Sequence, residues 1–149
     1  MTVETPYPVV AIVRRPIHSP LMHFSAAALI GCLFTDIVYW RTAEIMWSDF
    51  SSWLVSAGVL LGGLAAIAAL VDLFTGRLAI VGTRGRWAMV GYVIALVVSA
   101  FNALVHTHNA WTSVMPWGLA LSAVVTAILV VAGLMSWGEG YRVAREVIA

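Results

Sequence analysis

Lysine is absent from this chain, and charge of either sign is scarce: eight arginines, seven acidic residues and 10% charged residues in 149. An average soluble domain carries about 25%. So few charges cannot cover the water-exposed surface of a chain this long. The same scarcity excludes a nucleic-acid-binding module, which needs clustered cations, and a disordered tail, which needs polarity. With a single cysteine there is no intramolecular disulfide. Cys32 lies inside an apolar run and reads as a small buried thiol. No cleavable leader is expected, because the first basic residues are Arg14 and Arg15. Pro6, Pro8, Pro16 and Pro20 also interrupt the stretch before the first long apolar run.

What the chain has instead is 62% hydrophobic residues and a mean hydropathy of +0.96. Residues 1–19 read as an arm whose segment Val9 to Val13 is too short to cross a bilayer. Residues 20–149 read as the membrane domain. Four apolar runs, over about 20–40, 52–74, 87–106 and 116–137, are each close to the roughly 20 residues that span the hydrocarbon core. They lack the alternation of a barrel strand and are too long for one. The expected fold is an all-α membrane protein, a four-transmembrane-helix antiparallel bundle with short connections.

Arg14, Arg15, Arg77, Arg84, Arg86, Arg142 and Arg145 all fall on one side of this topology, and only Arg41 on the other. Short Arg-rich loops stay inside, so both termini are expected in the cytoplasm. Trp40, Trp47, Trp53, Trp111 and Trp117 mark the outer boundary, and Trp87 and Trp137 the inner one, as an aromatic belt. Small residues form stripes at helical spacing. Gly58, Gly62, Ala65, Ala69 and Asp72 share a face of span two, and Ala88, Gly91, Ala95, Ser99, Asn102 and His106 a face of span three. On span four the stripe is Gly118, Ser122, Thr126, Gly133 and Ser136. Such stripes let backbones approach where lipid supplies no hydrophobic drive.

Ionisable residues inside a membrane are costly and turn toward the bundle interior. Depth alone sorts them into two clusters. The inner one holds His18, His23, Asp72, Arg77 and Arg86; the outer one holds Asp36, Asn102, His106, His108 and Arg41. One reading is that each cluster satisfies its own hydrogen bonds and pins helix register. The other is a cofactor, metal or quinone site at the inner level. A haem b needs axial ligands at matching depth. His23 and His106 sit at opposite ends of their spans, roughly 30 Å apart by helix rise, and cannot share an iron. The partner for His23 would be Met89 or Met135, which makes His18, His23, Asp72 and Met89 the candidate cofactor set. No HExxH, CxxC or phosphate-binding loop is present.

The stretch Ile17-His18-Ser19-Pro20-Leu21-Met22-His23-Phe24 resembles the opening signature of a bacterial family of four-helix predicted membrane proteins of unknown function. In that family Ile-His-Pro is followed three residues later by His-Phe-Pro. An Asp then comes late in span one and another closes span two. The matching positions are His18, His23, Asp36 and Asp72, and the likeness runs from Ile17 over most of the chain. Ser19 and Ser25 stand where the family has proline, and Met89 where it has a histidine inside span three. The resemblance implies a bacterial inner-membrane protein, in some members encoded beside or fused to periplasmic quinoprotein dehydrogenases.

Three functions follow as expectations. The first is a non-enzymatic membrane subunit or anchor for a membrane or periplasmic partner, such as a dehydrogenase or respiratory assembly. The second is an electron-transfer subunit holding haem b or quinone. The third is a small transporter or proton path through Asp36 and Asp72. The bilayer is the constant partner, with a protein partner or a second copy of the chain as further candidates.

Overall fold

The computed structural model describes residues 16–76, 82–107 and 114–146. Four long helices account for nearly all of them. These are α1 (His18–Thr42), α2 (Ile45–Phe74), α3 (Gly82–His106) and α4 (Leu119–Glu146), the last preceded by a turn at Val114–Gly118. All four are long and apolar enough to cross a membrane. In hydrocarbon every backbone amide and carbonyl must find a partner within its own segment, which is why unbroken apolar runs become helices. Residues 1–15, with most of the expected arm, and the loop positions His108, Trp111 and Arg77 lie outside the described residues.

Three boundaries differ from the hydropathy reading. Helix α2 begins at Ile45 instead of near Ser52, because α1 and α2 are joined by only Ala43 and Glu44. Ala43 closes α1 in the left-handed conformation (φ 56°), and its N–H donates to the Tyr39 carbonyl at 2.7 Å. That bond satisfies one of the last orphan carbonyls of α1. Helix α3 begins at Gly82, five residues before Trp87. Helix α4 continues past Gly138 and Gly140 to Glu146. A glycine costs a helix only about 1 kcal/mol against alanine, too little to stop one by itself.

The helices form a square in which α1 packs on α2 and α4, and α3 packs on α2 and α4. Asp72, late in α2, meets His18 at the start of α1, so these neighbours are antiparallel. Asp36, late in α1, meets His106 at the end of α3, so the diagonal pair run the same way. One end of the bundle, the terminal end, carries the start of α1 and the close of α4. The other, the hairpin end, carries the α1–α2 connection.

At the centre Leu29, Cys32, Val55, Ala95, Val125 and Leu129 form a small apolar core. The stripes on α2 and α3 do face inward. Gly58 and Gly62 are where α2 is approached most closely. A Cβ on Gly58 would come within 2.6 Å of the Leu29 side chain, and one on Gly62 within 2.5 Å of Leu96. The stripe on α4 needs correction. Gly118 and Ser122 are buried, but Gly133 and Ser136 are exposed, and Val125 and Leu129 carry the inward line. Each four-residue step drifts about 40° around a helix, so Thr126 is only half-buried and Gly133 lies off the packed face. Phe24, Phe34, Leu60, Ile67, Phe101 and Leu134 are exposed, as expected of lipid-facing surface. The belt tryptophans Trp40, Trp53 and Trp117 lie exposed at the hairpin end, and Trp87 and Trp137 at the terminal end.

Candidate functional site

The two buried carboxylates of the described bundle each meet a histidine, one pair at each end. At the terminal end, Asp72 sits on the inward face of α2, within its last turn, and is 0% exposed. Its Oδ2 lies 2.8 Å from His18 Nδ1 and accepts the His18 backbone N–H at 3.0 Å. The Ile17 amide also bonds to this carboxylate. Helix α1 has no side-chain cap of its own. Asp72 therefore supplies one from the neighbouring helix, placing an acceptor against orphan amides and the positive end of the α1 dipole.

At the hairpin end the arrangement is larger and fully buried. Asp36 Oδ1 lies 3.1 Å from His106 Nε2, and Ser122 Oγ donates to Asp36 Oδ2 at 2.6 Å. Asn102 Nδ2 donates to Ser122 Oγ at 2.8 Å. Cys32, four residues before Asp36 and on the same face of α1, has its Sγ 3.8 Å from Asp36 Oδ2 and 3.5 Å from Ser122 Oγ. Immediately before Asp36, Thr35 shares a hydrogen bond of 2.7 Å with Ser51, between α1 and α2. Three helices thus contribute to one polar knot, and a fourth adjoins it.

The protons in this knot follow from donor and acceptor roles. His106 Nδ1 lies 2.9 Å from the Asn102 carbonyl, which can only accept, so Nδ1 carries a hydrogen. In a neutral imidazole that leaves a lone pair on Nε2, facing a carboxylate that would also only accept. The contact is attractive only if a proton sits between them, either as imidazolium with carboxylate or as imidazole with carboxylic acid. Both forms leave the pair electrically neutral, which suits a site away from water.

Several expected site residues are placed elsewhere. His23 is exposed, and its Nδ1 bonds to the Ser19 carbonyl of its own helix at 2.6 Å. Met89 is 42% exposed on α3, and Met135 lines a surface groove between α3 and α4 with Trp87 and Ile128. The inner set of His18, His23, Asp72 and Met89 is therefore not assembled: His18 meets Asp72, whereas His23 and Met89 face outward. His18 and His23 are five residues apart, which turns them about 140° from each other around α1. Residues of the described chain do not fit a haem clamp. The ligand candidates diverge, with His18 turned to Asp72 and His23 and Met89 exposed. Arg41 and Arg86 are also exposed. At the other level Asp36, Asn102 and His106 do come together, and His108 lies outside the described residues. Cys32, read from sequence as a small buried thiol, and Ser122, read as a stripe position, are the participants that the expected outer cluster did not include. The i, i+4 spacing of Cys32 and Asp36 is the signal that could have found the thiol.

Comparison with curated proteins finds no match, and neither does comparison with solved structures. A family model does match, over residues 14–144, nearly the whole chain. This chain therefore belongs to the family described as Predicted membrane protein (DUF2231).

Proposed function

We propose that this chain is a non-catalytic subunit of the bacterial inner membrane, anchoring a membrane or periplasmic partner, with both termini in the cytoplasm. The observation that carries the reading is how the two intramembrane carboxylates are used. Asp36 and Asp72 are both buried, and each is engaged by a histidine from another helix. Polar groups so placed lock register and rotation between helices, which a scaffold needs. The electron-transfer reading lacks its inner ligand set, since His23 and Met89 point away from Asp72. The transport reading lacks support too: each spanning helix runs unbroken through the bundle core, where transport sites favour interrupted ones.

Mild detergent extraction of the tagged chain from its native membrane tests the proposal. The expected result is co-purification of one partner at fixed stoichiometry, lost when the bundle is unlocked by His106→Ala. A chain recovered alone under every mild condition overturns it. A haem absorption band abolished by His23→Ala would instead establish the electron-transfer role.

A further inference from the structure

We infer that Cys32, Asp36 and His106 form a three-ligand site for a tetrahedral divalent ion of the zinc class, set inside the hairpin end of the bundle. The inference goes beyond the scaffold reading and stands independently of it.

Geometry comes first. The three donor atoms, a thiol sulfur, a carboxylate oxygen and an imidazole nitrogen, all lie within 4.8 Å of one another, and all three residues are buried. Zinc–ligand bonds of about 2.0–2.3 Å place tetrahedral ligand atoms about 3.3–3.6 Å apart. Asp36 meets His106 through Oδ1 at 3.1 Å and Cys32 through Oδ2 at 3.8 Å, so its carboxylate lies between the other two donors. With one carboxylate oxygen serving as the ligand, the donors start within 4.8 Å of one another, and side-chain rotation must draw them in to the tetrahedral spacing. The donor set of one sulfur, one nitrogen and one oxygen is that of a borderline-soft ion.

The second argument is the orientation of His106. Its Nδ1–H is committed to the Asn102 carbonyl. A metal-binding histidine is typically held in this way, with the remote N–H donated to a backbone carbonyl and the other nitrogen left with its lone pair. Here that lone pair faces a carboxylate, so a cation must stand between them. A proton is one solution, and a metal ion is another that also engages the nearby thiol.

A third, independent observation is Asn102 Oδ1. It is buried and has no hydrogen-bond partner among the described residues, although Asn102 as a whole is only 2% exposed. The same amide is tethered to Ser122, whose hydroxyl touches both Asp36 and Cys32. A fourth ligand bearing a hydrogen, such as a metal-bound water, would find its acceptor there.

Charge also closes. Binding M²⁺ releases the thiol proton and the proton shared by Asp36 and His106. Thiolate and carboxylate then neutralise the ion, and two protons leave. The site is neutral before and after, as its low-polarity surroundings require.

The test uses the full chain in detergent, stripped with a chelator and titrated with Zn²⁺ or Co²⁺. The expected result is one ion per chain, a thiolate-to-cobalt charge-transfer band and two protons released per ion. Affinity should fall about 100-fold per unit of acidification while both protons are held. Loss of an outer hydrogen-bond partner typically costs 10–100-fold in metal affinity, so removing a ligand outright should cost more than about 100-fold. Cys32→Ser preserves size and should abolish the band while leaving the metal-free unfolding curve in place. His106→Gln is the second variant. Absence of stoichiometric binding, or equal binding by wild type and Cys32→Ser, overturns the site. Either result would leave partner co-purification, and so the scaffold reading, untouched.

Discussion

His106 and Asp36 illustrate how single side chains decide stability in this bundle. Each is fully buried, so removing one partner strands the other without compensation. His106→Ala should destabilise the metal-free protein by about 3–5 kcal/mol, read from denaturant or detergent unfolding. Asp36→Asn should cost less, about 1–2 kcal/mol. An amide N–H can donate to Nε2 of a neutral imidazole, so the contact survives without the extra proton. Equal losses for the two variants would contradict the proton assignment. His18→Ala should cost less than His106→Ala, because Asp72 keeps the backbone amides at the start of α1. The ranking of these variants is the sharper check, since it depends on geometry and not on absolute scale.

Among the elements, the α1–α2 hairpin and the α2 interface carry the clearest consequences. Ala43 holds a left-handed conformation in which its Cβ crowds the following carbonyl. Ala43→Gly removes that crowding and should stabilise the protein by about 1 kcal/mol, seen as a raised unfolding midpoint. The packed and the open glycines of α2 should behave oppositely. Gly62 packs against Leu96 and Ser25, whereas a Cβ on Gly63 meets nothing within 4 Å. Gly63→Ala should be neutral or slightly stabilising. Gly58→Val, by contrast, drives into Leu29 and should cost about 1–3 kcal/mol through overpacking. A proline scan would blur this distinction; paired Gly58 and Gly63 variants resolve it in one unfolding assay.

At the scale of the whole molecule, the bundle is organised for lipid. Asp36, Asp72, Asn102 and His106 are buried in its interior, and much of its large apolar surface points outward. Leu60 is mid-way along α2 and 65% exposed. In water Leu60→Arg would be harmless or helpful. In a bilayer it should cost about 2.5–3.5 kcal/mol of insertion free energy, measured as the inserted fraction in a membrane-integration assay. Full insertion of that variant would argue against the lipid-facing assignment of this face.

Composition and periodicity alone determined that the chain is four apolar helices in a membrane, and that Asp72 and the stripes on α2 and α3 face inward. Those properties are local: span length is set by bilayer thickness, and a face by 3.6 residues per turn. His18 and His23 could even have been separated by that same arithmetic. Only the tertiary structure decided which inward groups of different helices meet, bringing Asp36 to His106 across the diagonal, Ser122 beside them, and Asp72 over the start of α1. Such meetings depend on the rotation and depth of each helix against the others. Those are set by close approaches such as Gly58 on Leu29, and no stretch of sequence contains both partners.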